Sequence, residues 1–203
     1  PGVEPEISTP TTSLIGMFDQ AVDKGGDSVA LEFFGAYTTY SQLGDQVARA
    51  AEGLRRLGVQ AGDRVALLLP NCPQHVVAFY ATLRLGAFVV EHNSLYTARE
   101  LRDMFDDHQA RIVIAWDAAV AKLREEPAVE VDRIVAVNLL NAFPTVKRLA
   151  LQLPIPKLRA TRNKLHAKAP GTMPWEELLG NPPLADSHPL PTLDDLAVIQ
   201  YTS

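Results

Sequence analysis

Hydrophobic residues recur at intervals of three and four positions in several segments of the chain's first half. This spacing predicts amphipathic helices that each bury one face. The first pattern follows Ser13, a residue type that caps helices well, and stops at Gly25. The second opens with Thr39 and Gln42, whose spacing is that of a capping box. We therefore predict two helices here, with their starts specified by local hydrogen bonding.

Two further helices are predicted downstream. We expect Asn71 to cap a helix that carries Pro73 in its first turn and runs to Leu85. Thr97 and Glu100 form a second capping-box pattern, which predicts the start of the next helix.

Short uninterrupted apolar runs alternate with these helices. Such runs are too short for buried helices and are typical of strands covered on both faces. They lie at 64–69, 87–90, 111–115, 133–137 and 196–200, and a small hairpin is predicted at 29–39. Alternating strands and helices with short connections predict an α/β fold, with a mostly parallel sheet flanked by helices.

The regular alternation stops after Val137. Nine of the 15 prolines fall between 138 and 191, where only Trp175 to Leu179 is predicted as a short helix. We divide the chain into an N-terminal α/β subdomain (1–137), a basic, proline-rich connection (138–191) and a returning strand (192–203). A chain that stops directly after a buried strand is unlike most domain boundaries, so we expect it to be truncated.

Composition places the chain among ordinary folded proteins, with 47% hydrophobic and 21% charged residues. The single cysteine, Cys72, leaves no internal disulfide and favours a reducing compartment, so we expect a cytoplasmic protein. No apolar run approaches the roughly 18 residues of a membrane-spanning helix, and residues 1–10 do not resemble a signal peptide.

Charge is distributed unevenly. The segment from Arg133 to Trp175 contains no Asp or Glu, although the whole chain has a net charge of −5. Its basic side chains alternate with leucines, which favours peripheral contact with anionic lipid or with an acidic carrier protein; the alternative is a solvated connection. The residues in question are Lys147, Arg148, Lys157, Arg159, Arg162, Lys164 and Lys168. Few aromatic residues accompany them, so nucleic acid is not an expected partner.

Few residues present obvious chemistry. His92 and Asn93 follow a predicted strand, at the edge where open α/β sheets bind ligands, and are our candidates for substrate contact. The alternative is a loop held by local hydrogen bonds. Cys72 and His75 are three residues apart, but no second cluster supports a metal site, and we predict structural roles for both. Asp106 and Asp107, at a predicted helix end, are expected to be solvated.

Six short motifs together resemble the adenylate-forming (AMP-binding) enzymes in order and spacing. They are 37–43 (YTTYSQL), 57–66 (LGVQAGDRVA), 69–73 (LPNCP), 83–90 (LRLGAFVV), 93–101 (NSLYTAREL) and 194–203 (DDLAVIQYTS). The fifth is similar to a run found in long-chain fatty acid CoA ligases, although Ser94 replaces the usual proline there. Glu91 and His92 also stand where that family more often has small or apolar residues.

The resemblance implies an enzyme that activates a fatty acid with ATP to acyl-AMP and transfers the acyl group to CoA. It also implies Mg²⁺ as a cofactor. It implies that Thr202 and Ser203 begin the ATP phosphate loop and bind nucleotide, while the loop glycines and lysine, the acidic residue for Mg²⁺ and the C-terminal lysine lie beyond position 203. We therefore expect no catalytic residue and no activity in these 203 residues alone. Two alternatives remain open: a fatty acyl-AMP ligase that loads an acyl carrier protein, and a non-catalytic α/β binding module.

Overall fold

A six-stranded parallel sheet organises the computed structural model, which describes residues 11–125 and 127–201. The strands are β1 (Val29–Phe33), β2 (Ala36–Thr39), β3 (Arg64–Leu68), β4 (Phe88–Glu91), β5 (Ile112–Trp116), β6 (Arg133–Val137), β7 (Met173–Pro174) and β8 (Val198–Gln200). The helices are α1 (Leu14–Gly25), α2 (Tyr40–Arg56), α3 (Pro73–Arg84), α4 (Ala98–His108), α5 (Val120–Leu123), α6 (Thr145–Ala150), α7 (Pro156–Leu165) and α8 (Trp175–Leu179).

The large sheet has the strand order β7-β6-β5-β3-β4-β8, and every neighbouring pair in it is parallel. The strands β1 and β2 form a separate antiparallel hairpin. The predicted α/β fold, the hairpin and the returning strand β8 are thereby confirmed.

Side chains alternate between two cores on opposite faces of the sheet. Val65 and Leu67 of β3 belong to the larger core, which includes residues of α1, α2, α3 and α8. Ala66 and Leu68 point to the smaller core, which α4 and α5 cover. A strand with helices on both faces has no solvated side, which explains its continuous apolar sequence.

Local capping specifies where α2 and α4 begin. Both capping boxes are complete, with Thr39 and Gln42 at α2 and Thr97 and Glu100 at α4. The expected cap of α3 was wrong. Its N-cap is Cys72, not Asn71, and no side chain makes a capping hydrogen bond there. Pro73 is tolerated in the first turn because the first N–H of a helix has no partner within the helix.

The basic connection contains more structure than its prolines indicated. Helices α6 and α7 were not predicted, and neither has a buried residue. With 6 and 10 residues they are too short to repeat a hydrophobic period clearly, so the pattern did not reveal them. The predicted helix α8 is confirmed, and β7 beside it extends the sheet next to β6. Within the described ranges, no helix combines the length and apolarity that crossing a membrane requires.

Candidate functional site

The carboxyl ends of β4 and β8 lie side by side, because Glu91 is in register with Gln200. The residues that follow, His92 and Tyr201, are therefore neighbours at the edge of the sheet where α/β proteins bind ligands. A cavity of about 650 Å³ opens there, and its wall includes His92, Asn93 and Tyr201. Its size is in the range of small-molecule sites.

A contact between a histidine and a glutamate forms part of one wall of this cavity. Nε2 of His75 lies 2.9 Å from Oε1 and 3.1 Å from Oε2 of Glu91, and both side chains are half-buried. His75 is on α3 and Glu91 ends β4, so the contact joins two elements. Sequence reasoning did not identify this pair, since 16 residues separate its members.

His92 is buried and makes its contact with a second histidine. Its Nε2 lies 3.0 Å from Nε2 of His108, the last residue of α4. Nδ1 of His108 accepts the backbone N–H of Ala110 at 3.0 Å, so a neutral His108 carries its proton on Nε2 and donates it to His92. This network assigns the His92 proton to Nδ1, which is buried and has no partner among the described residues.

Both imidazoles are neutral at physiological pH. Burial, reinforced by the nearby His108, lowers the pKa of His92 to about 3. Burial also lowers the pKa of His108 to about 4, against the opposing field of Asp107. Groups with these pKa values are poorly matched to general acid–base catalysis near neutral pH. The pair is better suited to hold neighbouring groups in place and to present one N–H.

Tyr201 is fixed from two directions. Its ring stacks on His92, with centroids 6.0 Å apart and planes 17° from parallel. Its hydroxyl donates to Oδ2 of Asp107 at 2.6 Å. Burial and then this carboxylate raise the pKa of Tyr201 to about 12, so the phenol remains a donor. Asp106 and Asp107 are exposed, as expected, but Asp107 has this additional contact.

The remaining predicted residues differ in their placement. Thr202 and Ser203 lie outside the described residues. Asn93 is exposed at the cavity, and its Oδ1 accepts the backbone N–H of Leu95 at 2.9 Å, as in the local loop alternative. Substrate contact by His92 and Asn93 stays a prediction.

Cys72 is buried in the larger core, and burial raises the pKa of its thiol to about 11. Its neighbour His75 instead contacts Glu91. Across residues 11–125 and 127–201, no group of three His, Cys, Asp or Glu side chains could hold a metal ion.

Comparison with known proteins gives consistent results. The sequence model of the family described as AMP-binding enzyme matches residues 18–203. A long-chain-fatty-acid–CoA ligase of Bacillus subtilis is 30% identical over 209 aligned residues, covering 97% of this chain and 35% of the relative. One from Escherichia coli O6:H1 is 31% identical, covering 94% of this chain and 34% of the relative. The chain thus spans about a third of the length of these relatives.

Among solved structures, the anthranilate CoA ligase AuaEII in complex with anthranoyl-AMP superposes with a TM-score of 0.76 at 17% identity. The match covers 96% of this chain and 33% of that one. At this identity the likeness concerns the fold, and it agrees with the parallel sheet flanked by helices described above.

Proposed function

Because the chain belongs to the AMP-binding enzymes, we propose that it is the N-terminal part of a fatty acyl-CoA ligase. The relatives whose names support this proposal are about 30% identical across nearly the whole chain. The structural observation that carries it is the position of Tyr201, which directly follows β8 at the carboxyl edge of the sheet beside an open cavity. A phosphate loop that starts there would meet a nucleotide at the mouth of the sheet.

The proposed reaction has two steps. A carboxylate oxygen of the fatty acid attacks the α-phosphorus of ATP, and the bond to pyrophosphate breaks. The thiol of CoA then attacks the acyl carbonyl carbon, and AMP leaves. Mg²⁺, when bound, would neutralise charge on the departing pyrophosphate.

This chain's part in the reaction is to position the nucleotide. Tyr201, held by His92 and Asp107, limits the freedom of the backbone just before Thr202 and Ser203. Hydroxyl and backbone N–H groups at those positions would contact the phosphates without a large ordering cost, since the preceding residue is already fixed. The 203 residues lack the loop lysine, so we propose that they catalyse neither step by themselves.

The decisive experiment is fatty-acid-dependent exchange of labelled pyrophosphate into ATP, followed by thioester formation. We expect the complete protein to respond to palmitate and to form palmitoyl-CoA, while benzoate gives little exchange. We expect no exchange from the 203-residue chain. Exchange catalysed by that chain alone, or a complete protein that responds only to benzoate, would contradict the proposal.

The same assay separates the alternatives. A fatty acyl-AMP ligase would show palmitate-dependent exchange but would transfer the acyl group to a phosphopantetheinylated carrier protein and not to CoA. A non-catalytic binding module would show no exchange with any carboxylic acid, even when the phosphate loop is present.

We further propose that the acid-free segment, Arg133 to Trp175, contacts an anionic surface. Several of its apolar side chains project into solvent beside the basic residues, as amphipathic membrane contacts require. Val146 is 79% exposed and Leu149 is 56% exposed on α6, and Ile155 is 46% exposed just before α7. An anionic lipid surface would suit this combination, and an acidic carrier protein is the second partner compatible with it.

A further inference from the structure

A second polar cavity, of about 670 Å³, opens at the carboxyl ends of β5 and β6. It lies between the turn that follows β6 and helices α6 and α7. The residues that line it are unusually rich in cations and in amide or imidazole groups. Six of them carry the argument: Asn138, Arg148, Gln152, Arg162, His166 and Lys168.

The frame of this cavity is fixed to the sheet at the end of α7. The indole Nε1 of Trp116, the last residue of β5, donates to the backbone oxygen of Leu165 at 2.9 Å. The buried carboxylate of Asp117 accepts the backbone N–H of Ala167 at 3.2 Å and pairs with Nδ1 of His166. These bonds connect positions about 50 residues apart, so the wall of the cavity is held by tertiary contacts.

The cations of this cavity have no counter-ion in the described part of the chain. Arg148 and Arg162 are half-buried, yet neither forms a salt bridge to a described carboxylate. The chain cannot supply one locally, since no acidic residue occurs from Arg133 to Trp175. Half-buried guanidinium groups normally face a carboxylate or a phosphate.

Two acidic groups contact residues that line the cavity, and both are already engaged. Asp117 is occupied by His166 and by the backbone of Ala167. Glu176 accepts a 2.6 Å hydrogen bond from Nδ2 of Asn141. On the donor side, Oδ1 of Asn138 accepts the N–H of Leu140, which leaves its NH₂ group available to a ligand. The cavity therefore has more hydrogen-bond donors than acceptors, and more positive than negative charge.

We propose that this cavity binds a phosphate monoester. Two guanidinium groups, an ammonium group and neutral amides are the set that recognises a compact dianion with several acceptor oxygens. The site is separate from the nucleotide edge, because β6 and β8 are four strand spacings apart, about 19 Å. The proposal therefore goes beyond the ligase reaction and does not depend on it.

The test compares two double variants that remove the same charge. Arg148→Gln with Arg162→Gln removes both arginines of the cavity, whereas Lys24→Gln with Arg99→Gln removes two exposed cations that lie outside both the cavity and the segment from Arg133 to Trp175. Binding of inorganic phosphate is measured by calorimetry at constant ionic strength in chloride. We expect the cavity variant to bind at least about tenfold more weakly, and the control to bind as the unmodified chain does. Circular dichroism checks that both variants fold.

A second arm distinguishes a soluble ligand from a lipid headgroup. Two kinds of vesicle are compared by sedimentation at equal surface charge. One contains phosphatidic acid, which is a phosphate monoester, and the other contains phosphatidylglycerol, which is a diester. A preference for phosphatidic acid that the cavity variant loses and the control keeps supports a lipid source, and phosphate binding in solution alone supports a soluble one. If the cavity variant and the control are equal in both arms, the proposal is wrong.

Discussion

The phenol of Tyr201 donates a 2.6 Å hydrogen bond to Asp107, which connects the end of strand β8 to the last turn of α4. Ninety-four positions separate the two residues. The bond fixes the chain at the point where the proposed phosphate loop begins, so its loss should affect nucleotide binding more than folding.

Replacing Tyr201 with Phe tests this directly. The ring can still stack on His92, but the hydrogen bond is lost. In the active protein that contains this chain, we expect the KM for ATP to rise about three- to tenfold, corresponding to one net hydrogen bond, with a smaller change in kcat. Asp107→Ala should act similarly, and combining both changes should add little because they remove the same bond. Tyr37→Phe, at a tyrosine that is 66% exposed, is the matched control; an equal effect there would contradict the assignment.

The buried histidine pair should make stability fall in mild acid. Burial lowers the pKa of His92 to about 3 and that of His108 to about 4, below the value of about 6.5 for an unfolded histidine. Between these limits the unfolded state binds more protons than the folded state, so the free energy of unfolding decreases as the pH drops below about 6.5. Above that pH the pair contributes no pH dependence.

Urea unfolding at a series of pH values measures this effect. We expect the double variant His92→Gln with His108→Gln to show a shallower loss of stability between about pH 6.5 and pH 4. The same exchange at His188, a half-buried residue outside the pair, is the control for the loss of a histidine. Identical slopes for the unmodified chain and the double variant would rule out the pair as the source.

Gly53 allows α2 to pack closely against α8. A Cβ at this position would lie 2.6 Å from Cδ2 and 2.9 Å from Cα of Leu178. Since a backbone atom cannot move aside easily, we expect Gly53→Ala to lower the free energy of unfolding by about 1–3 kcal/mol. Gly180→Ala, where the nearest atoms would be 3.5 Å away, should change stability little. Chemical denaturation of both variants would decide the matter, and equal stabilities would show that the helices can separate without cost.

Vesicle binding provides a test of the proposed anionic contact. Binding should increase with the content of anionic lipid and decrease with added salt, since screening weakens surface attraction. Removing two exposed cations with Lys157→Gln and Arg159→Gln should weaken binding by about 30-fold, at about 1 kcal/mol for each charge. Vesicle binding that changes neither with salt nor with these substitutions would contradict the proposed contact and indicate that the segment is a solvated connection.

The amino-acid sequence by itself determined most strands and the starts of α2 and α4. The capping boxes at Thr39 and Thr97 involve residues three apart, and the buried strands appear as apolar runs, so both are visible in neighbouring positions. The resemblance of the motifs also identified the family, since order and spacing are properties of the chain alone. Helices α6 and α7 were missed because 6 and 10 residues are too few to repeat a hydrophobic period clearly.

Only the tertiary structure decided which residues meet. The sequence singled out His92 but gave no sign of His108, His75 or Tyr201 as its surroundings, and the cavity between α6 and α7 was not foreseen. Strand order brings together the ends of β4 and β8 from distant parts of the chain. Hydrogen bonds between residues that are near in sequence follow from local geometry. The contacts between the ends of β4 and β8 depend instead on how the whole sheet buries its two faces, and no local sequence pattern specifies that.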